Sequence, residues 1–187
     1  MLLEYSIYSV LISLSSYILV LDTKIGFPRA SIQTGLSILY YYFMHRVIIH
    51  GLPSTFLNIH LFNHHDKQLH VHRNLELFLD FMAELSWCLP LLVLQYISGL
   101  WIVSPSILVF VFLLITISHI LNYSILGSQI HYKHHMDPTK NFGPDVMDHL
   151  FGTNSEKERE DILQHVSSLV MSCILVHFSK VYFQWKD

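Results

Sequence analysis

Long apolar stretches alternate with short polar ones along this chain, and the pattern predicts helices that cross a membrane. Residues 2–21 form an apolar run, close to the roughly 20 residues that a membrane-spanning helix needs. A polar link at 22–29 separates it from a second apolar run at 31–49. Residues 50–80 are polar enough to lie outside the membrane.

The next apolar stretch is long enough for two membrane helices. It runs from Phe81 to Ser118, and Ser98-Gly99 and Ser104-Pro105 interrupt it near the middle. Two spans of about 19 residues with a tight turn fit this length at a rise of about 1.5 Å per residue. Such a hairpin returns the chain to the membrane side that it left.

A C-terminal helix is expected over 156–184. Its apolar stretch at 162–178 could form a fifth span, an interfacial helix or a helix packed on the cytosolic part of the protein. Serine and histidine dilute this stretch, so we favour a packed or interfacial helix. Because apolar segments run through all 187 residues, a single domain over 1–187 is predicted.

Composition supports the membrane assignment. Hydrophobic residues make up 52% of the chain and charged residues 13%, whereas roughly a quarter of a soluble protein is charged. The formal charge of −3 comes without a basic tract, which argues against nucleic acid as a partner. Cys88 and Cys173 lie in apolar stretches, where a free cysteine behaves as a small buried hydrophobe.

The residues that carry chemistry are histidines, of which the chain has 14. Most fall in compact groups near the ends of apolar stretches: His45 with His50; His60, His64 and His65, followed by His70 and His72; His119; and His131, His134 and His135. Neutral imidazole binds Zn, Cu, Fe and Ni. Many imidazoles near one membrane face therefore predict a metal site with more than one ion.

Helical spacing predicts which imidazoles converge. Residues three and four apart share a helix face, so His131, His134 and His135 are expected to point toward one place. His60 and His64 are expected to do the same.

The remaining pairs are harder to place on a regular helix. His45 and His50 are about 140° apart on an ideal helix. Either His50 lies past the helix end, near Gly51, or the two histidines serve different ions. His70 and His72 face different ways, and we favour His72 as the ligand.

Charge predicts the orientation and the surroundings of the site. Basic residues accumulate on the histidine side of the membrane, which should therefore be cytosolic: Arg46, Lys67, Arg73, Lys133, Lys140, Lys157 and Arg159, against Lys24 and Arg29 in the opposite loop. An all-imidazole site also needs carboxylates that orient its ligands or offset the charge of the ions. The nearby candidates are Asp66, Glu76, Asp80, Asp137, Asp145 and Asp148.

Four motifs together resemble the fatty acid hydroxylase and sterol desaturase superfamily. They are HRVIIH at 45–50, HLFNHH at 60–65, HYKHH at 131–135 and NFGPDVMDHLFGT at 141–153. The resemblance covers about residues 31–153 and includes three histidine boxes in order.

The resemblance implies an all-α fold: an integral membrane four-helix bundle with a cytosolic, histidine-rich cap that holds two metal ions. It implies iron as the metal, with zinc as a possible replacement, and O2 as co-substrate. The implied ligands are His45, His50, His60, His64, His65, His72, His119, His131, His134 and His135, where His72 competes with His70 for its place. Asp148 matches the aspartate of the closing motif.

The resemblance also implies an activity and partners. The expected reaction is O2-dependent hydroxylation of a membrane lipid, whether fatty acyl, sphingolipid or sterol, in the endoplasmic reticulum or a bacterial inner membrane. Electrons would come from a separate cytochrome b5 with its reductase, or from a ferredoxin. Lipid desaturation and carotenoid hydroxylation are the enzymatic alternatives, and a membrane metal-binding or transport protein is the alternative outside catalysis.

Overall fold

The computed structural model describes residues 2–155, 162–185 and 187, and these residues form helices joined by loops, without strands. The predicted all-α class is therefore confirmed. The α-helices are α1 (Leu2–Leu19), α2 (Phe27–Phe43), α3 (Arg73–Ser86), α4 (Leu89–Ser98), α5 (Pro105–His119), α6 (Gln129–Met136), α7 (Asp145–Phe151) and α8 (Ile162–Phe183). Three π-helices accompany them: π1 (Met44–Ile49), π2 (His60–His65) and π3 (Ile120–Leu126).

The chain divides into two compact units. The helical unit comprises Met1–Leu39, Cys88–Ile115 and Asp161–Asp187, and the histidine unit comprises Tyr40–Trp87 and Thr116–Glu160. Both α2 and α5 contribute residues to each unit. All ligands predicted from the sequence fall in the histidine unit.

An apolar helix forms the core of the helical unit. Ile107, Leu108 and Phe112 of α5 have no exposed surface, and α1 packs against α8. Ser98 ends α4 and Pro105 begins α5, where a proline suits the first helical turn because its missing N–H has no partner there. The chain thus turns at the position that the sequence predicted.

Buried amide side chains hold this turn in place. Gln95 accepts from the backbone N–H of Val103 at 2.8 Å and donates to the Val103 carbonyl at 3.2 Å. Gln33 donates to the Ile102 carbonyl at 3.1 Å and accepts from the Ser104 N–H at 3.2 Å. Each amide satisfies both a donor and an acceptor of the loop, so the buried end of the loop at Val103 and Ser104 keeps these backbone groups paired.

Two helical stretches are long and apolar enough to cross a membrane, Arg73–Ser98 and His165–Phe183. Most of each stretch is not buried inside the chain. The helices Ser6–Leu19 and Pro105–His119 are also apolar but shorter. A large apolar surface exposed on a chain is typical of membrane contact or of a protein interface.

The helix limits differ from the expected ones in two places. α3 begins at Arg73, eight residues before the predicted apolar span, because His72 caps it. The C-terminal helix α8 extends to Phe183, five residues past the predicted apolar stretch. It packs against α1, as expected, and its residues His165–Phe183 are also long and apolar enough to cross a membrane. Residues 156–161 of the predicted helix lie outside the described residues.

Candidate metal centre

Two short π-helices place histidines that a regular helix would separate. In π1 the backbone N–H of His50 bonds to the His45 carbonyl at 3.1 Å, which stacks residues five apart on one face. The Nε2 atoms of these two histidines are 3.2 Å apart. His50 is the C-cap that follows π1, so the first expectation, a position past the helix end, is confirmed. The second expectation, service to different ions, is not supported, because both histidines belong to one group of converging ligand atoms.

The first group of histidines comprises His45, His50, His60 and His134, whose ligand atoms all lie within 4.8 Å of one another. The Nε2 atoms of His45 and His60 are 3.0 Å apart. His45, His60 and His134 are buried, and His50 is half-buried. Trp87 packs on one side, with its ring 5.3 Å from His45 and 5.2 Å from His60.

The second group is built around His64, His119 and His131. The Nε2 of His131 is 2.8 Å from that of His119 and 3.2 Å from that of His64. His135 joins them, since its Nε2 lies 2.9 Å from His131 and 3.0 Å from His64. Four imidazole nitrogens thus meet at a second point.

His65 lies beside members of both groups. Its ring centre is 4.5 Å from that of His135 and 4.9 Å from that of His50. Its Nε2 is buried without a hydrogen-bond partner among the described residues, as is the Nε2 of His134. A buried polar atom without a partner is costly, and a metal ion would satisfy both nitrogens.

The outer nitrogens fix which tautomer each imidazole adopts. Nδ1 of His45 donates to the Phe142 carbonyl at 2.6 Å, and Nδ1 of His134 donates to the Lys140 carbonyl at 2.5 Å. A carbonyl can only accept, so the proton sits on Nδ1 and Nε2 carries a lone pair. The same holds for His64, whose Nδ1 contacts a carboxylate oxygen of Asp80 at 3.1 Å.

Lone pairs that converge in this way repel one another unless a cation lies between them. The separations of 2.8–3.2 Å suit ligation, because nitrogens that bind one ion at about 2.1 Å and at right angles are about 3.0 Å apart. The donor set and its geometry therefore fit a divalent metal in each group. The prediction that these histidines could bind metal is confirmed to that extent.

Electrostatics keep the ligands in the neutral form that binds metal. Burial lowers the pKa of His50 to about 4 and the pKa of His134 to about 3. It also lowers the pKa of His135 to about 3 and the pKa of His65 to about 2. Because ligands must be deprotonated to bind, these imidazoles are ready for metal at neutral pH.

Asp148 supports the first group through a loop. It is buried, and its carboxylate accepts from the N–H of Phe142 at 3.0 Å, the N–H of Gly143 at 2.7 Å and the hydroxyl of Thr153 at 2.6 Å. Gly143 has a φ of 68°, a conformation that favours glycine. The loop in turn places the Phe142 carbonyl on His45. Asp148 therefore orients the ligand His45 through Phe142 without touching it.

Two other carboxylates contact ligands directly. Asp80 lies against Nδ1 of His64, and Glu84 forms an ion pair with Nδ1 of His119. Both are buried on α3. Asp80 was among the sequence candidates, but Glu84 was missed. A signal for it was present, since two acidic residues four apart in an apolar helical run share a face and are costly to bury without partners.

The structure also divides the histidine motifs differently from our expectation. His60 belongs to the first group and His64 to the second. Likewise His134 joins the first group, whereas His131 and His135 join the second. The 60–65 and 131–135 motifs therefore each serve both groups, whereas the 45–50 motif serves only the first. In α6 the division follows from the angle of about 100° between positions 134 and 135 on a helix.

His72 does not join either group. It is exposed, and its Nδ1 accepts from the N–H of Asn74 at 3.3 Å, which makes it the N-cap of α3. His70 is exposed as well. We therefore remove His72 from the predicted ligand set, because its ring already serves to begin a helix.

Comparison with models of protein families, with curated proteins and with solved structures gave no match. The functional argument accordingly rests on the residues of this chain.

Proposed function

We propose that this protein is a membrane-bound oxidoreductase that uses two iron ions and O2 to hydroxylate a lipid. The supporting observation is the convergence of Nε2 atoms in two adjoining groups of buried and half-buried histidines. Imidazole suits iron as well as zinc. On the four sequence motifs, we also propose membership of the fatty acid hydroxylase and sterol desaturase superfamily.

Iron would supply the one chemistry that side chains lack, the activation of O2 for attack on an unactivated C–H bond. The reaction balances when R–H and O2 take up two electrons and two protons to give R–OH and water. The two electrons come from a separate donor protein, either cytochrome b5 with its reductase or a ferredoxin. The chain itself contributes the ligands, their orientation and the exclusion of water from the site.

A membrane setting supports a lipid as substrate. Two helical stretches have the length and composition of spans, and the polar ligands gather in the histidine unit rather than among the buried residues of the helical unit. We propose a four-helix membrane bundle in the endoplasmic reticulum or a bacterial inner membrane, with the two histidine groups on the cytosolic side on the basis of the Lys/Arg bias. Asn122-Tyr123-Ser124 has the sequence pattern of a glycosylation site, and this orientation keeps it on the cytosolic side. A glycan on Asn122 in a eukaryotic host would therefore contradict the orientation.

The test is incubation of the protein with 18O2, a reductant, an electron-donor protein and membrane lipids, followed by mass spectrometry of the lipids. We expect a hydroxyl group labelled with 18O that disappears in His64→Ala. The matched control is His70→Ala, which removes an exposed histidine outside both groups and should leave the product unchanged.

Other outcomes of the same experiment would overturn the proposal. A new double bond without label would indicate a desaturase. Metal binding without an oxygen-dependent product from fatty acyl, sphingolipid, sterol or carotenoid substrates would indicate a metal-binding or transport protein.

A further inference from the structure

The two histidine groups differ in what holds their outer nitrogens. In the first group, His45 and His134 donate to the backbone carbonyls of Phe142 and Lys140. In the second group, His64 and His119 contact carboxylates. A carbonyl offers a dipole, whereas a carboxylate offers a full negative charge.

The carboxylates of the second group are deeply buried. Asp80 is 2% exposed and Glu84 is 0% exposed. Each contacts Nδ1 of an imidazole, and the remaining partners are neutral as well: Asn63 donates to Asp80 at 3.4 Å and Tyr41 donates to Glu84 at 3.3 Å. No lysine or arginine among the described residues forms an ion pair with either carboxylate, and two buried carboxylates of this kind need a cation nearby.

A metal bound by the second group would supply that charge through the imidazoles. A carboxylate that accepts from Nδ1–H raises the basicity of the opposite nitrogen and strengthens its bond to metal. The first group lacks such a carboxylate bond. The Glu84 oxygen that contacts His119 lies 3.9 Å from Nδ1 of His60, a ligand of the first group. That distance is too long for a hydrogen bond.

We infer that the two metal positions are inequivalent: the second group, His64, His119, His131 and His135, fills first and holds its ion more tightly, and the first group fills second and exchanges its ion. Asp80 and Glu84 are the positioning residues that set this order. The inference rests on the proposed two-metal centre and adds to it a sequence of loading. It also predicts a form with one metal per chain, bound by the second group.

The test is titration of metal-free protein in detergent with cobalt(II), whose visible absorption reports ligation, in competition with a chelator. We expect two steps of different affinity. His131→Ala should abolish the tighter step, and His50→Ala should abolish the weaker one. Dialysis of the loaded protein against the chelator should leave one ion per chain, measured by elemental analysis.

Asp80→Asn isolates the charge, because the asparagine oxygen can still accept from His64. We expect the tighter step to weaken by about 10–100-fold and the weaker step to change much less. Glu84→Gln provides a second variant with the same expectation, and circular dichroism checks that each variant is folded. The matched control is Glu76→Gln, which removes a carboxylate from the same helix where it pairs with Lys67 and Arg73.

Two equal affinities, or equal weakening of both steps in Asp80→Asn, would overturn the inference while a labelled lipid product still supported the proposed function. Failure of the protein to bind a second ion at any concentration would instead overturn the two-metal centre itself.

Discussion

In the helical unit two buried glutamines pair with the backbone of one loop, whereas in the histidine unit the imidazole rings turn their ligand atoms toward common points. Gln95 and Gln33 each pair with a donor and an acceptor of one loop. The Nε2 atoms of His65 and His134 are buried without hydrogen-bond partners among the described residues. Both units bury polar groups, and the difference is that the imidazole nitrogens of the histidine unit converge on shared points.

This comparison separates structural polar groups from ligand-binding ones. A closed network stabilises the fold, because each buried donor and acceptor is already paired. A cluster of imidazoles with fixed tautomers and converging lone pairs is incomplete without a cation. Substitutions in the two units should therefore affect different quantities: stability in the helical unit, and metal content in the histidine unit.

The largest expected effect is on metal content when each histidine group loses a central ligand. The double variant His64→Ala, His134→Ala should retain almost no metal after dialysis, and each single variant should lose metal chiefly from its own group. Elemental analysis of the folded proteins measures this. Full metal content in the double variant would show that the two groups are not the binding sites. The control His70→Ala should have the same metal content as the protein without substitutions.

The next effect is expected at the loop that supports the first group. Asp148→Asn places an amide N–H₂ against a backbone N–H or the Thr153 hydroxyl that the carboxylate now satisfies. We expect a loss of roughly 1–3 kcal/mol in the free energy of unfolding and weaker binding at the first group. Urea unfolding combined with metal titration tests this. Unchanged metal affinity at the first group would contradict the role of Asp148 in orienting His45.

A third effect concerns pH. The folded pKa values of His50 and His134, about 4 and about 3, lie below the value of about 6.5 expected for histidine in the unfolded chain. As the pH falls below about 6.5, these histidines bind protons in the unfolded chain but stay neutral in the folded chain. The free energy of unfolding of the metal-free protein should therefore fall.

Unfolding measured at pH 7.5, 6.5 and 5.5 tests the pH effect. Constant stability across this range would contradict the burial of neutral imidazoles. A His134→Gln variant should show a shallower dependence on pH, because it lacks one of the titrating groups.

The smallest effect on the metal is expected from the helical unit. Gln95→Leu would leave the N–H and carbonyl of Val103 without their side-chain partners. We expect a loss of roughly 1–3 kcal/mol in the free energy of unfolding with metal content unchanged. Loss of metal in a folded Gln95→Leu protein would break the distinction between the two units.

Much of the fold was predictable because it depends on local pattern. The turn between Ser98 and Pro105 follows from small and turn-forming residues in an apolar run, and the ligands His45, His60 and His131 follow from their clustering. The π-turn that brings His50 onto the face of His45 was not predictable. It adds one residue to the helical turn, and no residue pattern at 44–50 favours a π-helix over an α-helix.

Other features required tertiary information. Whether His72 binds metal or caps a helix depends on where α3 begins, which neighbouring residues alone did not fix. The assignment of His60 and His64 to different groups depends on which histidines of α6 lie beside them: His134 beside His60, and His131 beside His64. The role of Glu84 depends on its contact with His119, 35 positions further along the chain.

The central claim is that this chain holds two metal ions in two histidine groups. The most direct measurement is elemental analysis of the protein purified from iron-supplemented cells, together with its concentration by amino-acid analysis. The account predicts two ions per chain, iron in active protein or zinc where zinc has replaced it. One ion or none per chain, in a folded sample that takes up no further metal on titration, would contradict it.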